Sequence, residues 1–464
     1  MEKDRKIDKV VNLAKRRGFI FPSSEIYGGL NSIYDYGPLG VELKNNLKKA
    51  WWDFMLSRPD IVGLDSAILA HPKIWEASGH LEGFSDPLVD CKKCKSRFRA
   101  DHLLALEKKG IKPDFGKSQP RSLKKISCPS CGGELTEVRQ FNLMFKTFMG
   151  PVEDSAGQIY LRPETAQGIY ANFLNTKEAM RLKIPFGIAQ IGKAFRNEIT
   201  TENFIFRMRE FEQMEMQYFI EGKDSQKIFE NFKKWRYDWY LSLGIKKENL
   251  HFREHAKDEL AHYAKQAVDI EYKFDFSGND TFKELEGIHD RGQWDLSRHQ
   301  EFSGQKMSLL NESGQEFIPQ VIETSGGVDR ATLAFLLDAY TEIDGGRSTT
   351  TASKKEQEIV LRLDKKLAPI KIAVLPLSKK EDLAKKTKEV YQLLASSYRL
   401  QYDETGSIGK RYRRQDEIGT PYCLTVDFDT LEDNQVTVRD RDTMEQERIA
   451  VSELKAYFQE KFSL

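Results

Sequence analysis

The sequence predicts a multidomain α/β protein with an antiparallel sheet in its larger part. Three observations predict it. At 464 residues the chain has room for roughly three domains. Segments 187–198 and 209–219 both alternate at period two, so they read as two strands of a hairpin. Beyond residue 367 strands alternate with helices, the pattern of a small α/β domain.

Composition narrows the classes. Hydrophobic residues make up 39% and charged residues 31%, a balance that supplies large cores. An aromatic content of 11% excludes a disordered, solvating chain. No apolar run reaches the length of about 18 residues that a membrane helix needs. The first residues lack a secretory apolar core, and Glu2, Asp4 and Asp8 are unlike an acid-poor transit peptide. The net charge of +1 means that any nucleic-acid surface must be local.

Residues 1–20 read as a helix with Val10, Val11, Leu13 and Ala14 on its apolar side. Residues 23–40, rich in Gly, Ser and Tyr, read as loops and turns. From Val41 a helix runs through Leu43, Leu47, Ala50, Trp51 and Phe54, and Pro59 ends it by disfavouring helical geometry at Arg58. Residues 61–69 are strand-like. Residues 85–140 read as an insertion whose Lys-rich middle, 105–127, is mobile. The polar run 341–358, with Gly345-Gly346 and a Ser/Thr stretch, marks a domain boundary. The expected domains are 1–345, a linker 346–366 and a final domain 367–464. That domain should hold a strand at 368–378, a helix through Leu383, Val390, Leu393 and Leu394, strands at 422–428 and 434–441, and a last helix at 452–462.

Cys91-Lys-Lys-Cys94 and Cys128-Pro-Ser-Cys131 are separated by 33 residues. Two such knuckles supply the four thiolates of a tetrahedral Zn²⁺ site. The pattern indicates a metal site in a reducing compartment, by default the cytoplasm, and not a disulfide framework. With all four positions filled, the zinc is structural.

In the expected hairpin, Gln190, Gly192, Ala194, Arg196 and Glu198 share a face, with Ala189, Ile191 and Phe195 on the other. On the second strand Arg209, Phe211, Gln213, Glu215 and Gln217 share a face opposite Met214 and Met216. Charges on a buried sheet face are costly unless they are paired or bind something. Guanidinium groups clamp phosphate and an aromatic ring stacks a base, so an anionic ligand with a planar ring suits this set. A solvated face laced with salt bridges is the alternative.

Longer strings favour the ligand. Phe195-Arg196-Asn197-Glu198, followed by Arg207-x-x-x-Phe211, resembles motif 2 of class II aminoacyl-tRNA synthetases. Ser325-Gly326-Gly327-Val328-Asp329-Arg330 resembles motif 3, and the Val41–Pro59 helix with its following strand resembles motif 1. The strings 34–40 (YDYGPLG), 161–168 (LRPETAQG), 207–213 (RMREFEQ) and 284–288 (ELEGI) are similar to glycyl-tRNA synthetases of the homodimeric type. The likeness runs from about residue 8 to the C-terminus, in the family's order. Thr324 departs from it, standing where a proline is expected.

The resemblance implies a class II antiparallel sheet flanked by helices, with a zinc-binding insertion and a C-terminal anticodon-binding domain. It implies glycine–tRNA ligation through glycyl-adenylate, with ATP, Mg²⁺, glycine and tRNA-Gly as cofactors and partners, and a homodimer. Arg196 would bridge the α-phosphate and the glycine carboxylate. Glu198 would hold the adenine amino group or orient Arg196. Arg207 would reach the γ-phosphate, Phe211 would stack the adenine, and Arg330 would take the other side of the triphosphate. Glu284 would hold Mg²⁺, with Leu285 lining the nucleotide site. Asn197, Phe206, Met208, Arg209, Glu210, Gly327, Val328 and Asp329 complete the implied ATP set. For glycine, Glu164, Glu215 and Glu323 would grip the ammonium beside Ser325. Arg99, Glu212, Gln213, Met214, Thr324 and Gly326 are the remaining implied contacts, with Phe211 and Gly327 shared. Lys410, Arg411, Arg413 and Arg414, with Tyr412 inside the run, would meet tRNA. His80, His255 and His262 read as packing or surface residues. Synthetases for threonine, proline or histidine, a non-catalytic synthetase-like binder and a bare zinc module are the weighed alternatives. The intact arginines and acids disfavour the second, and the third would explain only the insertion.

Overall fold

Alternating side chains build the hairpin, and the rest of the larger domain assembles around it. The computed structural model describes residues 5–100, 103, 127–154, 157–199, 201, 203–256, 259–260, 264–276, 282–347 and 357–462. The Lys-rich stretch up to 126, the Ser/Thr run 348–356 and His262 lie outside these.

The central sheet has seven strands, numbered here along the chain: β1 (Ile61–Gly63), β2 (Phe186–Phe195), β3 (Glu210–Ile220), β4 (Leu250–Glu254), β5 (Gln266–Lys273), β6 (Phe282–Gly292) and β7 (Gln320–Gly327). Their spatial order is β4-β5-β6-β7-β3-β2-β1. All neighbours are antiparallel except β1 with β2. β2 and β3 pair as the alternation predicts, with Gln190 opposite Glu215 and Gly192 opposite Gln213. Ala189, Met214 and Met216 face the main core.

Helix α1 (Lys6–Arg17) packs its expected apolar side, and Gly18 ends it in left-handed geometry. Helix α2 starts at Pro38, not Val41, and runs to Leu56. Pro at the first position is pre-set for helix and loses no hydrogen bond there. A β-carbon on Gly40 would lie 1.8 Å from the Phe19 carbonyl oxygen, so the first turn and the chain before it are in direct backbone contact. Tyr34–Tyr36 is a short strand paired with Ile20–Pro22, so the expected loop narrows to residues 23–33. Of the strand-like 61–69, only Ile61–Gly63 joins the main sheet. Helix α3 (Ala166–Ala171) covers one face of the sheet, helix α4 (Ser225–Ser242) packs on β6 and β7, and helix α5 (Val328–Ala339) follows directly from β7.

The C-terminal sheet has the order Leu400–Tyr402, Ile372–Pro376, Tyr422–Val426, Gln435–Asp440, Gln446–Ala450. Its first and last strands, and helix α6 (Ile408–Ile418), go beyond the sequence expectation. The expected linker is partly structured: Glu358–Leu361 pairs with Tyr340–Ile343 because Val360 and Leu361 are fully buried. A buried ion network fastens α6 there. Asp416 accepts from both Nη atoms of Arg439 at 2.9 Å and from Arg347 Nη2 at 2.7 Å. Arg347 also holds Glu358.

Removing the shared carboxylate leaves two guanidinium groups short of a partner. Asp416→Ala should therefore cost about 3–5 kcal/mol, read as a lower urea midpoint. An unchanged midpoint would show that the network contributes nothing.

Candidate active site

Strands β3, β6 and β7, with the segment that follows β2 and the turn before α3, line a cavity of 340 Å³. One end is cationic. Arg196 follows the last residue of β2; its Nε donates to Pro163 O at 2.9 Å, and its guanidinium lies 5.3 Å from the centre of the Phe211 ring. Arg207 and Glu198 line the same wall. Arg330 sits in the first turn of α5, where free N–H groups and the helix dipole favour anions. Its guanidinium lies over Phe206 at 4.4 Å and reaches Glu284 Oε2 at 3.3 Å.

The other end is acidic. Glu215 and Glu323, on adjacent strands, are 2% and 4% exposed. Thr165 donates to one oxygen of Glu215. The Gln217 amide donates to the other at 2.8 Å and to Glu323 Oε2 at 2.6 Å. Glu323 also meets His289 Nδ1 at 2.8 Å and Arg291 Nη1 at 3.1 Å. Glu164 accepts from Gln167 at 2.9 Å, and His80 Nε2 is 3.4 Å away.

These neighbours separate three similar acids. Burial pushes the Glu215 carboxyl well up, and the charges of Glu323 and Glu164 push it further. Burial also opposes the charge on Glu323, but Arg291 and His289 overcome it and hold that carboxyl at about 2. For Glu164, burial is outweighed by His80 and Arg291, which hold it far below the usual carboxylate range.

The implied ATP and glycine residues divide. Arg196, Glu198, Phe206, Arg207, Met208, Phe211, Glu284, Gly327, Asp329 and Arg330 line the cavity, as do Glu164, Glu212, Gln213, Glu215, Glu323, Ser325 and Gly326. Leu285, Met214 and Val328 do not: their side chains are in the core beneath the sheet. Thr324 is buried as well. Asp329 is a strut at the cavity edge, accepting from Tyr36 OH at 2.6 Å, Lys44 Nζ at 2.7 Å and the Glu212 N–H at 2.7 Å. Arg209 ties Glu198 O to Asn31 O, and Glu210 pairs with Lys193. The Asn197 N–H donates to Leu143 O. Arg99 is paired with Asp86 at 2.7 Å on the insertion sheet, outside the cavity lining.

His289 and Arg291 go beyond the sequence expectation. Their signal is the alternation Gly287, His289, Arg291 on β6, past the ELEGI string. His80 faces Glu164 although it read as packing or surface, and His255 pairs with Asp269.

The basic run on α6 is largely spent internally. Arg411 is 2% exposed and donates to the carbonyls of Pro376, Leu377 and Asp403, so it holds the domain together and is not presented to RNA. Tyr412 packs under Arg439 and bonds Thr425, which removes it as a stacking surface. Arg414 pairs with Asp403 and Arg413 is half-buried, leaving Lys410 as the exposed cation of the run.

In the insertion the four cysteine sulfurs lie within 4.8 Å of one another. Cys91 and Cys131 Sγ are 3.5 Å apart, Cys94 and Cys128 Sγ 3.6 Å. A tetrahedral Zn–S site at ordinary bond lengths has sulfurs about 3.8 Å apart, so the cluster fits that ion. A β-carbon on Gly133 would crowd the Cys91 and Cys131 sulfurs at 3.1 and 3.3 Å.

Residues 147–367 match the tRNA synthetase class II core domain (G, H, P, S and T), and residues 371–461 match the anticodon binding domain. The chain is 54% identical to the glycine–tRNA ligase of Treponema denticola, over 97% of this chain and 96% of that protein. It is 52% identical to that of Thermobifida fusca, over 99% of each. It is 54% identical to that of Geobacillus kaustophilus, over 98% of this chain and 99% of that one. A solved prolyl-tRNA synthetase from Cryptosporidium parvum shares the fold, with a TM-score of 0.63 at 15% identity, covering 99% of this chain and 78% of its own.

Glu215 takes up a proton on folding between its unfolded and its raised folded pKa. Its penalty therefore grows as pH rises through that window. In Glu215→Gln the amide oxygen still accepts from Gln217 and the amide nitrogen donates to Thr165 Oγ1, without that penalty, so the ligand-free variant should melt above the parent, by a margin that widens from pH 5 to pH 8. A margin that shrinks with pH would refute the assignment.

Proposed function

Because the chain belongs to the class II glycine–tRNA ligases, we propose that the cavity on the central sheet is where both steps of its reaction occur. The enzyme is an ATP-dependent aminoacyl-tRNA synthetase. It joins glycine and ATP into glycyl-adenylate and pyrophosphate, then passes the glycyl group to the 3′ end of tRNA-Gly. One observation carries the assignment of the site: a single cavity has arginines at one end and a buried acidic cluster at the other. Glycine as bound carries an ammonium and a carboxylate, and ATP carries the phosphates.

The reaction is displacement at the α-phosphate and needs no covalent protein nucleophile. Positioning and charge neutralisation carry it. Glu164, Glu215 and Glu323 take the ammonium, with Ser325 beside them. Arg196 holds the glycine carboxylate and the α-phosphate together and neutralises the charge that builds up as they react. Phe211, whose ring centre is 5.3 Å from the Arg196 guanidinium, takes the adenine on its face, with Glu198 on the amino group. Arg207 and Arg330 hold the outer phosphates. Mg²⁺, which this class uses with ATP, would neutralise phosphate charge when bound, and Glu284, at the cavity wall and reached by Arg330, is the carboxylate that would hold it. Alanine differs by one methyl, which an apolar pocket discriminates only weakly. A wall fixed by paired, buried carboxylates excludes it sterically.

The division into catalytic domain, insertion, linker and anticodon-binding domain, with the boundaries set out above, is supported by a second core between Ile372 and Phe458, while Leu361, Leu363, Leu367, Ile370 and Ile418 pack into the first. The cysteine cluster holds a structural zinc. The working form is a cytoplasmic homodimer using α2 and its following strand at a two-fold interface. Among the described residues no helix is long and apolar enough to cross a membrane.

Amino-acid-dependent ATP–pyrophosphate exchange tests the reading, with glycine, alanine, serine, threonine and proline compared. Exchange with glycine alone is expected, and exchange with another amino acid in its place would overturn the substrate. Arg196→Ala should lower glycine-dependent exchange at least about 100-fold while changing stability by less than about 1 kcal/mol. Near-parental exchange would sink the role of Arg196. Chelation should first deprotect the amides of Ser85–Asp90 and Arg139–Asn142 in hydrogen exchange, ahead of the central sheet. Uniform protection after metal loss would count against a structural zinc.

A further inference from the structure

We propose that the buried pair Gln217–Tyr170 is a positioning clamp that sets glycine affinity and selectivity by fixing the separation of Glu215 and Glu323. The inference rests on the assignment of those two carboxylates to glycine.

Neither residue lines the cavity, and both are 0% exposed. Gln217 lies on β3 two residues beyond Glu215, and its backbone partner on β7 is Glu323. Its single side-chain nitrogen therefore sits behind both carboxylates and donates to each, at 2.8 and 2.6 Å. An amide nitrogen has two hydrogens, and both are used. The orientation of the amide is set from the far side. Tyr170, on α3, donates its hydroxyl to the Gln217 oxygen at 2.7 Å. A flipped amide would turn its oxygen toward two carboxylates and its nitrogen toward the hydroxyl.

Once Glu215 ionises, it and Glu323 carry like charges on neighbouring strands and would spread apart. The bridging amide opposes that spread without bringing in a charge that would compete with an incoming ammonium. Glycine offers no side chain for the pocket to read, so selectivity depends on how rigidly these two groups stand. A looser pair makes fewer good contacts to the ammonium and leaves room for a methyl.

Gln217→Met keeps the bulk and deletes both donors. Tyr170→Phe deletes only the hydroxyl that orients the amide. In pyrophosphate exchange, Gln217→Met should raise the glycine KM about tenfold or more, as expected for hydrogen bonds to charged groups. The ATP KM should stay within about twofold, and the preference for glycine over alanine should narrow. Tyr170→Phe should raise the glycine KM by a smaller factor, and the double variant should be no worse than Gln217→Met alone. Glycine and ATP KM rising together, an unchanged glycine KM in folded protein, or additive losses would each overturn the clamp. If Gln217→Met does not fold, the glycine KM of Tyr170→Phe decides alone. A parent enzyme inactive with glycine would instead overturn the function assigned to the cavity. A parent active with glycine beside unaffected variants overturns the clamp only.

Discussion

Two carboxylates buried on one face of the central sheet, Glu215 and Glu323, with the half-buried Glu164 beside them, are the constraint around which the site is organised. Isolated charges in such a place would be prohibitively desolvated. Each is therefore given a different set of neighbours: a hydroxyl and an amide for Glu215, an arginine and a histidine for Glu323, an amide and a histidine for Glu164. The result is a pocket with two acids held ionised and one held toward its neutral form. A bound ammonium supplies the charge that Glu215 lacks. Its arrival favours the same ionisation that the empty pocket disfavours, so binding and proton release are linked.

The cationic end depends on a second buried junction. Asp329 receives Tyr36 and Lys44 from the N-terminal part of the chain and the Glu212 N–H from β3, while the next residue along α5 is Arg330. Lys44 also pairs with Glu212. The arginine proposed to take phosphate thus follows a residue tied to α2 and to the motif 2 hairpin by one carboxylate. A charge that reads in sequence as part of a nucleotide motif acts here as the strut that fixes where the helix begins.

Much of this was legible in the sequence because period two is a strict rule. Once β2 and β3 alternate, Arg196, Phe211, Gln213 and Glu215 must share a face, and the register bears that out. The four cysteines were legible for a similar reason, since their spacing already encodes a knuckle. The Leu285 side chain lies in the core, although alternation with His289 and Arg291 would put it in the cavity, because the strand register shifts at this residue. Arg291, His289 and Tyr170 belong to no local string, and Gln217, though legible on the Glu215 face, carries no sign of its partners there. They meet the acids only through pairing of strands and helix far apart in the chain.

The α6 run shows the opposite error and leads to a general point. Lys410 through Arg414 reads as an RNA-facing patch, yet Arg411 and Tyr412 are consumed inside the domain. Arg347, Arg439, Arg236 and Arg291 are spent in the same way, each on a buried carboxylate. With Lys+Arg 72 against Asp+Glu 71, the chain carries little excess cation. Most interior guanidiniums pair with an acid there, Arg411 and Arg162 being held by backbone carbonyls instead, and the surface is left close to neutral. A surface of that kind attracts a polyanion weakly at long range. Recognition of tRNA must then rest on shape and on a few placed contacts more than on bulk attraction. The clustering of arginine in the sequence is therefore a poor guide to where RNA lies, whereas exposure, as at Lys410, is the better one.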